Sequence, residues 1–245
     1  MTKETKKWWE ENSQYYQNVS KIPVDIHYGP GSPNESKLKL LGNLKGKKVL
    51  EIGCGGAQCG IAMANKGARV TGIDISEEQL KFAKKLVEKN KVNITFHQGD
   101  IRELPQIKSN SQDIVFSAYA LLYVDNLDKC FKEVYRILKK SGMFVFSLDH
   151  PFDAMIDKKT MKVRRSYFKT GAYREKYTHG TWVGYNRTVG QLFDTLVETG
   201  FQVERIIEPD SRKRHKGDPW YGIWDYKKKA MSIMPPTIIF KARKK

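Results

Sequence analysis

A glycine-rich turn between two apolar runs is the feature that most constrains the fold of this chain. Residues 49–57 read Val-Leu-Glu-Ile-Gly-Cys-Gly-Gly-Ala, and a second apolar run, residues 68–74, ends at Asp74. Asp74 follows Gly53 by 21 residues, the spacing expected of a βαβ unit that holds a nucleoside. Gly53 and Gly55 allow the backbone to approach a ligand closely, and Asp74 can accept hydrogen bonds from both ribose hydroxyls. The pattern therefore predicts a nucleoside-binding site.

The same loop lacks the residues that bind phosphates. Dinucleotide-binding loops carry a third glycine, which allows the helix to begin beside a pyrophosphate, and Gln58 occupies that position here. The Gly-Lys-Ser/Thr ending of a P-loop is also missing from the sequence. Glu51, in the first apolar run, would repel a phosphate but suits a cationic ligand. These features favour S-adenosylmethionine, which carries a sulfonium and an ammonium and has no phosphate.

Further segments follow the glycine loop and Asp74 in a recognisable order. They are Gly99-Asp100-Ile101, residues 113–117 and residues 138–142. Together, these five features resemble the class I S-adenosylmethionine-dependent methyltransferases. Within that class, the chain is similar to the small-molecule group that includes quinone-pathway C-methyltransferases (methyltransferase type 11). The resemblance covers residues 47–148 and implies S-adenosylmethionine as cofactor and a small molecule as methyl acceptor.

The resemblance also implies which residues hold the cofactor. Asp74 would bind the ribose, and Glu51 would orient the methionine amino group through water. Asp100 would face the adenine amino group, while Ile101 packs on the adenine ring. Two of these residues have structural alternatives, since Glu51 could cap a neighbouring helix and Asp100 could cap a helix that begins at Ile101. The complete predicted set is Glu51, Gly53, Cys54, Gly55, Asp74, Ile75, Gln79, Asp100, Ile101, Ser117, Tyr123 and Tyr16.

The predicted reaction is an in-line displacement in which alignment of donor and acceptor is the main requirement. Holding the two about 3 Å apart can supply roughly 7–11 kcal/mol of the barrier, so no covalent nucleophile is needed. Related methyltransferases often have His near position 122 or 123, but Leu122 and Tyr123 stand there. His150 is the best remaining base, because its ordinary pKa of about 6.5 lets it accept a proton near neutral pH. The alternative is a loop histidine that only precedes Pro151. Tyr119, just after the fourth predicted strand, is the second predicted catalytic residue.

Alternating strand and helix patterns predict an α/β fold: a Rossmann-like, seven-stranded, mostly parallel sheet with helices on both faces. The seven predicted strands are 47–52, 68–74, 93–97, 112–117, 142–148, 201–207 and 236–242. All 245 residues are expected to form one methyltransferase domain. Its predicted parts are an N-terminal lid (1–42), a cofactor-binding half (43–150), a cap insertion (151–185) and the C-terminal half of the sheet (186–245).

Segments outside the sheet carry aromatic residues that could close a pocket. Residues 5–19 are typical of an amphipathic helix, which is either a terminal helix on the core or, as in the family, a lid over the cofactor. Residues 151–185 begin where the fifth strand ends, so they can roof an acceptor pocket; the alternative is a hairpin that packs only on itself. A second aromatic insertion spans residues 208–236. The residues predicted on one side of the N-terminal helix are Trp8, Asn12, Tyr15, Tyr16 and Val19.

The formal charge of +17 raises the alternative of a nucleic-acid partner. The basic residues lie in scattered clusters rather than in one binding module, which favours a solvated surface. An RNA methyltransferase is the second choice, because residues 117–120 read Ser-Ala-Tyr-Ala where base N-methyltransferases carry Asn/Asp-Pro-Pro-Tyr. A protein that binds S-adenosylmethionine without transferring methyl groups is a further alternative. The missing third glycine argues against a nucleotide dehydrogenase.

Composition also indicates a compartment. No apolar stretch approaches the roughly 20 residues needed to span a bilayer, and the N-terminal residues lack the apolar core of a signal peptide. The cysteines at positions 54, 59 and 130 have no paired metal spacing, and their odd number does not suit a disulfide framework. We therefore expect a cytoplasmic protein with reduced thiols and no metal site. Nothing in the sequence indicates an oligomeric state.

Overall fold

A seven-stranded sheet lies at the centre of the protein. The computed structural model describes residues 2–157, 160–177, 180–213 and 232–245. The strands of the sheet are β1 Lys48–Ile52, β2 Arg69–Asp74, β3 Ile94–Gln98, β4 Gln112–Ala118, β5 Leu138–Asp149, β8 Phe201–Ile207 and β9 Thr237–Lys244. Two further strands, β6 Gly171–Tyr177 and β7 Gly180–Asn186, pair with each other outside it.

The strand order in the sheet is β3-β2-β1-β4-β5-β9-β8. Neighbouring strands from β3 to β5 run parallel, whereas β9 runs antiparallel to both β5 and β8. This arrangement confirms the predicted mostly parallel sheet. Because β1, β2, β4 and β5 point the same way, their carboxyl ends meet at one edge, where ligands bind in open α/β sheets.

Helices cover both faces of the sheet, as predicted. They are α1 Lys3–Ser20, α2 Glu35–Leu38, α3 Gln58–Asn65, α4 Glu77–Asn90, α5 Leu127–Ile137 and α6 Val189–Thr199. Leu50 and Ile52 of β1 pack on one face with Phe131 of α5, while Val49 packs on the other with Met63 of α3. A strand buried on both faces is apolar at consecutive positions, which explains the apolar residues Val49, Leu50 and Ile52 of β1; buried Glu51 is the exception. Within the described residues, every helix falls short of the length and apolar character needed to cross a bilayer.

The first insertion forms the hairpin of β6 and β7, and this hairpin contacts other elements. The ring of Tyr177 lies 5.9 Å from the ring of Trp8 in α1. Trp182 Nε1 donates a hydrogen bond of 3.0 Å to the hydroxyl of Tyr123, which follows β4. A hairpin that packs only on itself is therefore ruled out. Of the second insertion, residues 214–231 lie outside the described residues.

The buried side of α1 differs from the predicted one. Tyr15 and Val19 are exposed, by 49% and 43%. Trp8 and Asn12 are buried as predicted, but Ser13 and Gln17, which lie outside the predicted side, are buried too and contact the start of α4. Ser13 Oγ lies 3.3 Å from Ser76 Oγ, at the start of α4. The residues that α1 buries are Thr5, Trp8, Asn12, Ser13, Gln17 and Ser20.

Glu10 of α1 caps the N-terminus of α4. Its carboxylate accepts hydrogen bonds from the backbone N–H of Glu77 at 3.1 Å and of Glu78 at 3.2 Å. It also accepts one from Ser76 Oγ at 3.2 Å. These N–H groups have no partner within α4, and a negative charge at a helix N-terminus is stabilised by the helix dipole. One carboxylate therefore joins α1 to α4.

We expect Glu10→Ala to lower the free energy of unfolding by about 1 kcal/mol, the typical cost of removing an N-cap. The amides of Glu77 and Glu78 should also exchange with solvent faster. Urea unfolding and hydrogen exchange measure the two effects. Glu11→Ala is the control, because the Glu11 side chain is 54% exposed and its nearest ionic partner, Lys7, lies 3.8 Å away. Equal effects of the two substitutions would contradict the capping role.

Candidate functional site

A cavity of about 400 Å³ lies where β1, β2, β4 and β5 end. Trp8 of α1 and Trp182 of the hairpin line its outer side. Ten of the twelve predicted cofactor residues also line it, although they come from distant parts of the chain. They are Tyr16, Glu51, Gly53, Cys54, Gly55, Asp74, Ile75, Gln79, Ile101 and Tyr123.

The glycine loop follows β1 directly and has a backbone that requires glycine. Gly53 has a φ of 65° and Gly55 a φ of 50°, both in the left-handed region. A Cβ added to Gly53 would lie 2.1 Å from the Cβ of Ala120, in the turn after β4. Any side chain at position 53 would therefore push the ends of β1 and β4 apart.

Asp74, the last residue of β2, holds this loop in place. Its Oδ2 accepts a hydrogen bond of 2.8 Å from the backbone N–H of Gly55, and its Oδ1 accepts one of 2.9 Å from Ser76. Burial raises the pKa of Asp74 to about 6, although these N–H groups lower it. Each carboxylate oxygen has a second lone pair. Asp74 can therefore hold the loop and accept ligand hydroxyls at the same time.

Glu51 contributes a second buried carboxylate to the cavity. Only 4% of the residue is exposed, and across the described residues its Oε2 has no hydrogen-bond partner. Burial raises the pKa of Glu51 to about 8; the backbone N–H of Gly60, in the first turn of α3, lowers it, and the charge of Asp74 raises it. Glu51 therefore caps α3, which is the alternative role that the sequence analysis considered for it. A buried oxygen without a partner costs free energy, which a cationic or N–H-bearing ligand would recover.

Three glutamines close the cavity on the side of α1. Gln58 Nε2 donates to Gln17 Oε1 at 2.8 Å, and Gln17 Nε2 donates to Gln79 Oε1 at 2.8 Å. All three side chains line the cavity. In the sequence, Gln58 was noted only as the residue that stands in place of a third glycine, and Gln17 was not noted. No local pattern marks such a series, because its members are far apart in the sequence.

Two predicted cofactor residues do not reach the cavity. The carboxylate of Asp100 accepts hydrogen bonds from Arg102, the shortest 2.7 Å from Nη2. Arg102 also donates to Asp125 at 2.8 Å. Burial raises the pKa of Asp100, but Arg102 and its backbone N–H outweigh this and bring the pKa to about 2. Ser117 is fully buried, and its hydroxyl donates to the carbonyl oxygen of Ile52 at 3.0 Å. Asp100 therefore forms a charge pair, and Ser117 joins β4 to β1.

His150, the predicted base, is also outside the cavity lining. Its Nε2 lies 2.7 Å from Glu208 Oε1, and its Nδ1 accepts a hydrogen bond of 3.1 Å from the backbone N–H of Phe152. Burial lowers the pKa of His150, while Glu208 raises it. Asp149 lines the cavity instead, because successive side chains of an extended strand point in opposite directions. The residue at the end of β5 that faces the cavity is therefore Asp149 rather than the predicted His150.

The other predicted catalytic residue, Tyr119, lines the cavity, but its hydroxyl is bonded to the chain. Tyr119 has a φ of 60°, and its hydroxyl is hydrogen-bonded to Thr237 Oγ1 and to the carbonyl oxygen of Pro236. Its ring packs on Gly29, where an added Cβ would lie 2.0 Å from a ring carbon. Tyr119 therefore shapes the cavity by position rather than by offering a reactive hydroxyl.

Sequence reasoning missed a group of charged and aromatic residues in the first insertion and at the end of β5. They line the part of the cavity that faces the hairpin, and we call them the hairpin-side lining. Individual aromatic residues of the insertion were noted in the sequence, but no local signal showed which of them face inward. The group comprises Asp149, Asp153, Asp157, Arg164, Tyr173, Glu175, Tyr177 and Trp182.

Comparisons with known proteins agree with this geometry. A family model described as a methyltransferase domain matches residues 43–180. The chain is 26% identical over 246 aligned residues to an uncharacterized protein of Haemophilus influenzae, covering 94% of this chain and 93% of that one. It is 31% identical over 142 residues to a ubiquinone biosynthesis O-methyltransferase of Acinetobacter baylyi, covering 58% of this chain and 56% of the relative.

A solved structure also superposes well on the protein. It is an S-adenosylmethionine-dependent methyltransferase from Mesorhizobium loti, with a TM-score of 0.67 and 26% sequence identity. The match covers 84% of this chain and 95% of that one. Because the family match extends over more than half of the chain and includes the glycine loop and Asp74, the protein belongs to the methyltransferase domain family.

Proposed function

We propose that this protein transfers a methyl group from S-adenosylmethionine to a small-molecule acceptor. The observation that carries the proposal is the pair of buried carboxylates at the glycine loop, Glu51 with an unpartnered oxygen and Asp74 bonded to Gly55. The similar protein from Mesorhizobium loti uses S-adenosylmethionine, and the relative from Acinetobacter baylyi methylates an oxygen in ubiquinone biosynthesis. The first supports this cofactor, and the second supports a small acceptor over RNA.

The residues of the loop fit the parts of the proposed cofactor. Asp74 would accept hydrogen bonds from the ribose hydroxyls, and the unpartnered oxygen of Glu51 would receive the amino group of the methionine part. Ile75 and Ile101 offer apolar surface to the adenine ring. Gly53 leaves room for close backbone approach. Bound S-adenosylmethionine supplies an activated methyl group on a positively charged sulfur.

The chain itself then has to align the reactants and exclude water. Trp9 and Tyr123 stand edge to face at a ring distance of 5.3 Å and form part of the wall. Alignment alone can lower the barrier by roughly 7–11 kcal/mol, so no residue is needed as a covalent nucleophile. We propose that residues 1–42 act as the lid and residues 151–185 as the roof of a single domain.

The compartment forms part of the same proposal. All three cysteines, Cys54, Cys59 and Cys130, are free and buried. Free thiols are the rule in a reducing compartment. We therefore propose that the protein acts in the cytoplasm.

Asp74→Asn should lower the affinity for S-adenosylhomocysteine at least about tenfold, a loss of roughly 1.4 kcal/mol, because it removes a charge-assisted acceptor for the ribose. Isothermal titration calorimetry measures the change. Asp128→Asn is the control, since Asp128 lies on α5 with its side chain 51% exposed and pairs only with Lys132 among the contacts described. An unchanged affinity in Asp74→Asn, or binding of NAD by the wild-type protein, would contradict the proposed site.

Glu51→Gln should make the ligand-free protein more stable at alkaline pH. The pKa of Glu51 is about 8 in the folded protein, against an ordinary value of 4.5. The folded protein therefore keeps a proton that the unfolded chain releases, and wild-type stability falls as the pH rises from about 4.5 to about 8. The variant lacks this loss, so at pH 8 its free energy of unfolding should exceed the wild-type value by at least about 1 kcal/mol.

Urea unfolding at pH 5 and pH 8 tests this expectation, with Glu11→Gln as the exposed control. The same Glu51→Gln variant should bind S-adenosylmethionine at least about tenfold more weakly, because the ammonium group loses its charged partner. A stability difference that is the same at both pH values would show that the carboxyl of Glu51 is not held neutral by burial.

A further inference from the structure

Aromatic rings form a continuous wall on the hairpin side of the cavity. The rings of Tyr123 and Trp182 lie 5.6 Å apart, and those of Trp182 and Tyr173 lie 5.1 Å apart, both edge to face. Tyr177 and Trp8 form a further aromatic pair of the lining. All five residues line the cavity. Faces of aromatic rings carry negative potential and attract cations.

Carboxylates lie among these rings. Asp149, Asp153, Asp157 and Glu175 line the same part of the cavity. Among the lining residues that the structure describes, Arg164 is the one lysine or arginine, and its Nη2 bonds Glu175 Oε1 at 2.5 Å. The described hairpin-side lining therefore carries three more negative than positive formal charges.

The carboxylates act on the same rings. After burial, the charges of Asp149, Glu175 and Asp153 are the groups that raise the pKa of Tyr173. Burial also raises the pKa of Tyr123; the hydrogen bond from Trp182 lowers it, and Asp149 contributes to the rise. Asp149 is thus within electrostatic reach of both tyrosines, so the acids and the wall face one space.

This local charge is opposite to that of the whole protein. The chain has 44 Lys and Arg against 27 Asp and Glu, a net formal charge of +17. A lining drawn at random from such a composition would be basic. An anionic acceptor would be repelled by the carboxylates and the ring faces, whereas a cation would be attracted by both.

We propose that the methyl acceptor is a small amine, which binds as its ammonium cation between Asp149 and the part of the wall formed by Tyr123 and Trp182. The guanidinium of Arg165 already lies over the ring of Tyr173, 4.7 Å from its centroid. Asp149 would accept the proton of the ammonium and so free the nitrogen lone pair for the new N–CH3 bond, while the S–CH3 bond of the cofactor breaks and its sulfur becomes the neutral sulfide of S-adenosylhomocysteine. This identity of the acceptor rests on the proposed function. The excess of carboxylates also offsets the repulsion between an ammonium and the nearby positive sulfur. Asp149 sets the charge preference, and the rings make the site selective for a cation with apolar substituents.

Calorimetry with a matched pair of probes tests the proposal. Benzylammonium and benzoate have the same ring and opposite charges, and each is titrated into the full-length protein with and without saturating S-adenosylhomocysteine. S-adenosylhomocysteine has no charge on its sulfur, so it does not repel a cation that binds in the acceptor site. We expect benzylammonium to bind at least about tenfold more tightly than benzoate, and its affinity to weaken as salt is added.

Variants separate charge from ring contributions. Asp149→Asn should lower benzylammonium affinity about tenfold. Trp182→Leu should lower it similarly, whereas Trp182→Phe should retain most of it, because the ring face is kept. S-adenosylhomocysteine affinity should change less than about twofold in all three, which shows that the fold is intact. Asp128→Asn, outside the cavity, is the charge-matched control.

The outcomes distinguish this proposal from the proposed function. Benzoate binding as tightly as benzylammonium, or an unchanged benzylammonium affinity in Asp149→Asn, would overturn the amine acceptor. Methyl transfer from S-adenosylmethionine to RNA but to no amine would overturn it as well. Failure to bind S-adenosylhomocysteine while benzylammonium is still preferred would contradict the proposed function and leave the cation site supported.

Discussion

The carboxylate of Asp74 joins two neighbouring strands at the point where both end. Parallel pairing of β1 with β2 sets Ile52 opposite Ile73, so the glycine loop emerges beside Asp74. The backbone N–H of Gly55 donates a hydrogen bond to Asp74, and this bond fixes the loop. The loop has few other constraints, because Gly53 and Gly55, which adopt positive φ values, have no side chains. Glu51 precedes this loop in β1, where it is paired with Gly72 and Phe116, and α3 begins just after the loop. A single acid therefore gives the site its shape.

Burial opposes negative charge at both carboxyls of the site. The pKa of Glu51 is about 8 and that of Asp74 about 6, so near neutral pH the ligand-free protein holds Glu51 mostly protonated and Asp74 mostly ionised. A buried charge without a partner destabilises a fold, and proteins retain such groups where function requires them. A ligand with positive charge would offset the cost of negative charge on both carboxyls. The same free energy that weakens the empty protein would thus favour binding.

The two covers of the cavity differ in chemistry. Helix α1 is held by polar contacts, from Glu10 to the start of α4 and from Gln17 to Gln58 and Gln79. The hairpin is held by aromatic contacts, above all Trp182 on Tyr123. Polar contacts exchange readily with water, whereas an aromatic wall keeps water out. The cavity is therefore closed by hydrogen bonds on the side of α1 and by aromatic rings on the side of the hairpin.

The sequence by itself determined the sheet, the glycine loop, the acid beside that loop and the kind of cofactor, because these follow from local periodicity and from spacing within one βαβ unit. Only the tertiary structure decided which side chains face the cavity. It placed Asp149 in the cavity lining and buried His150 outside it, paired Asp100 with Arg102, and turned α1 so that Gln17 rather than Tyr15 is buried. Each of these outcomes depends on a partner that is distant in the chain or on the side of the strand to which one side chain points. Local sequence patterns carry neither kind of information.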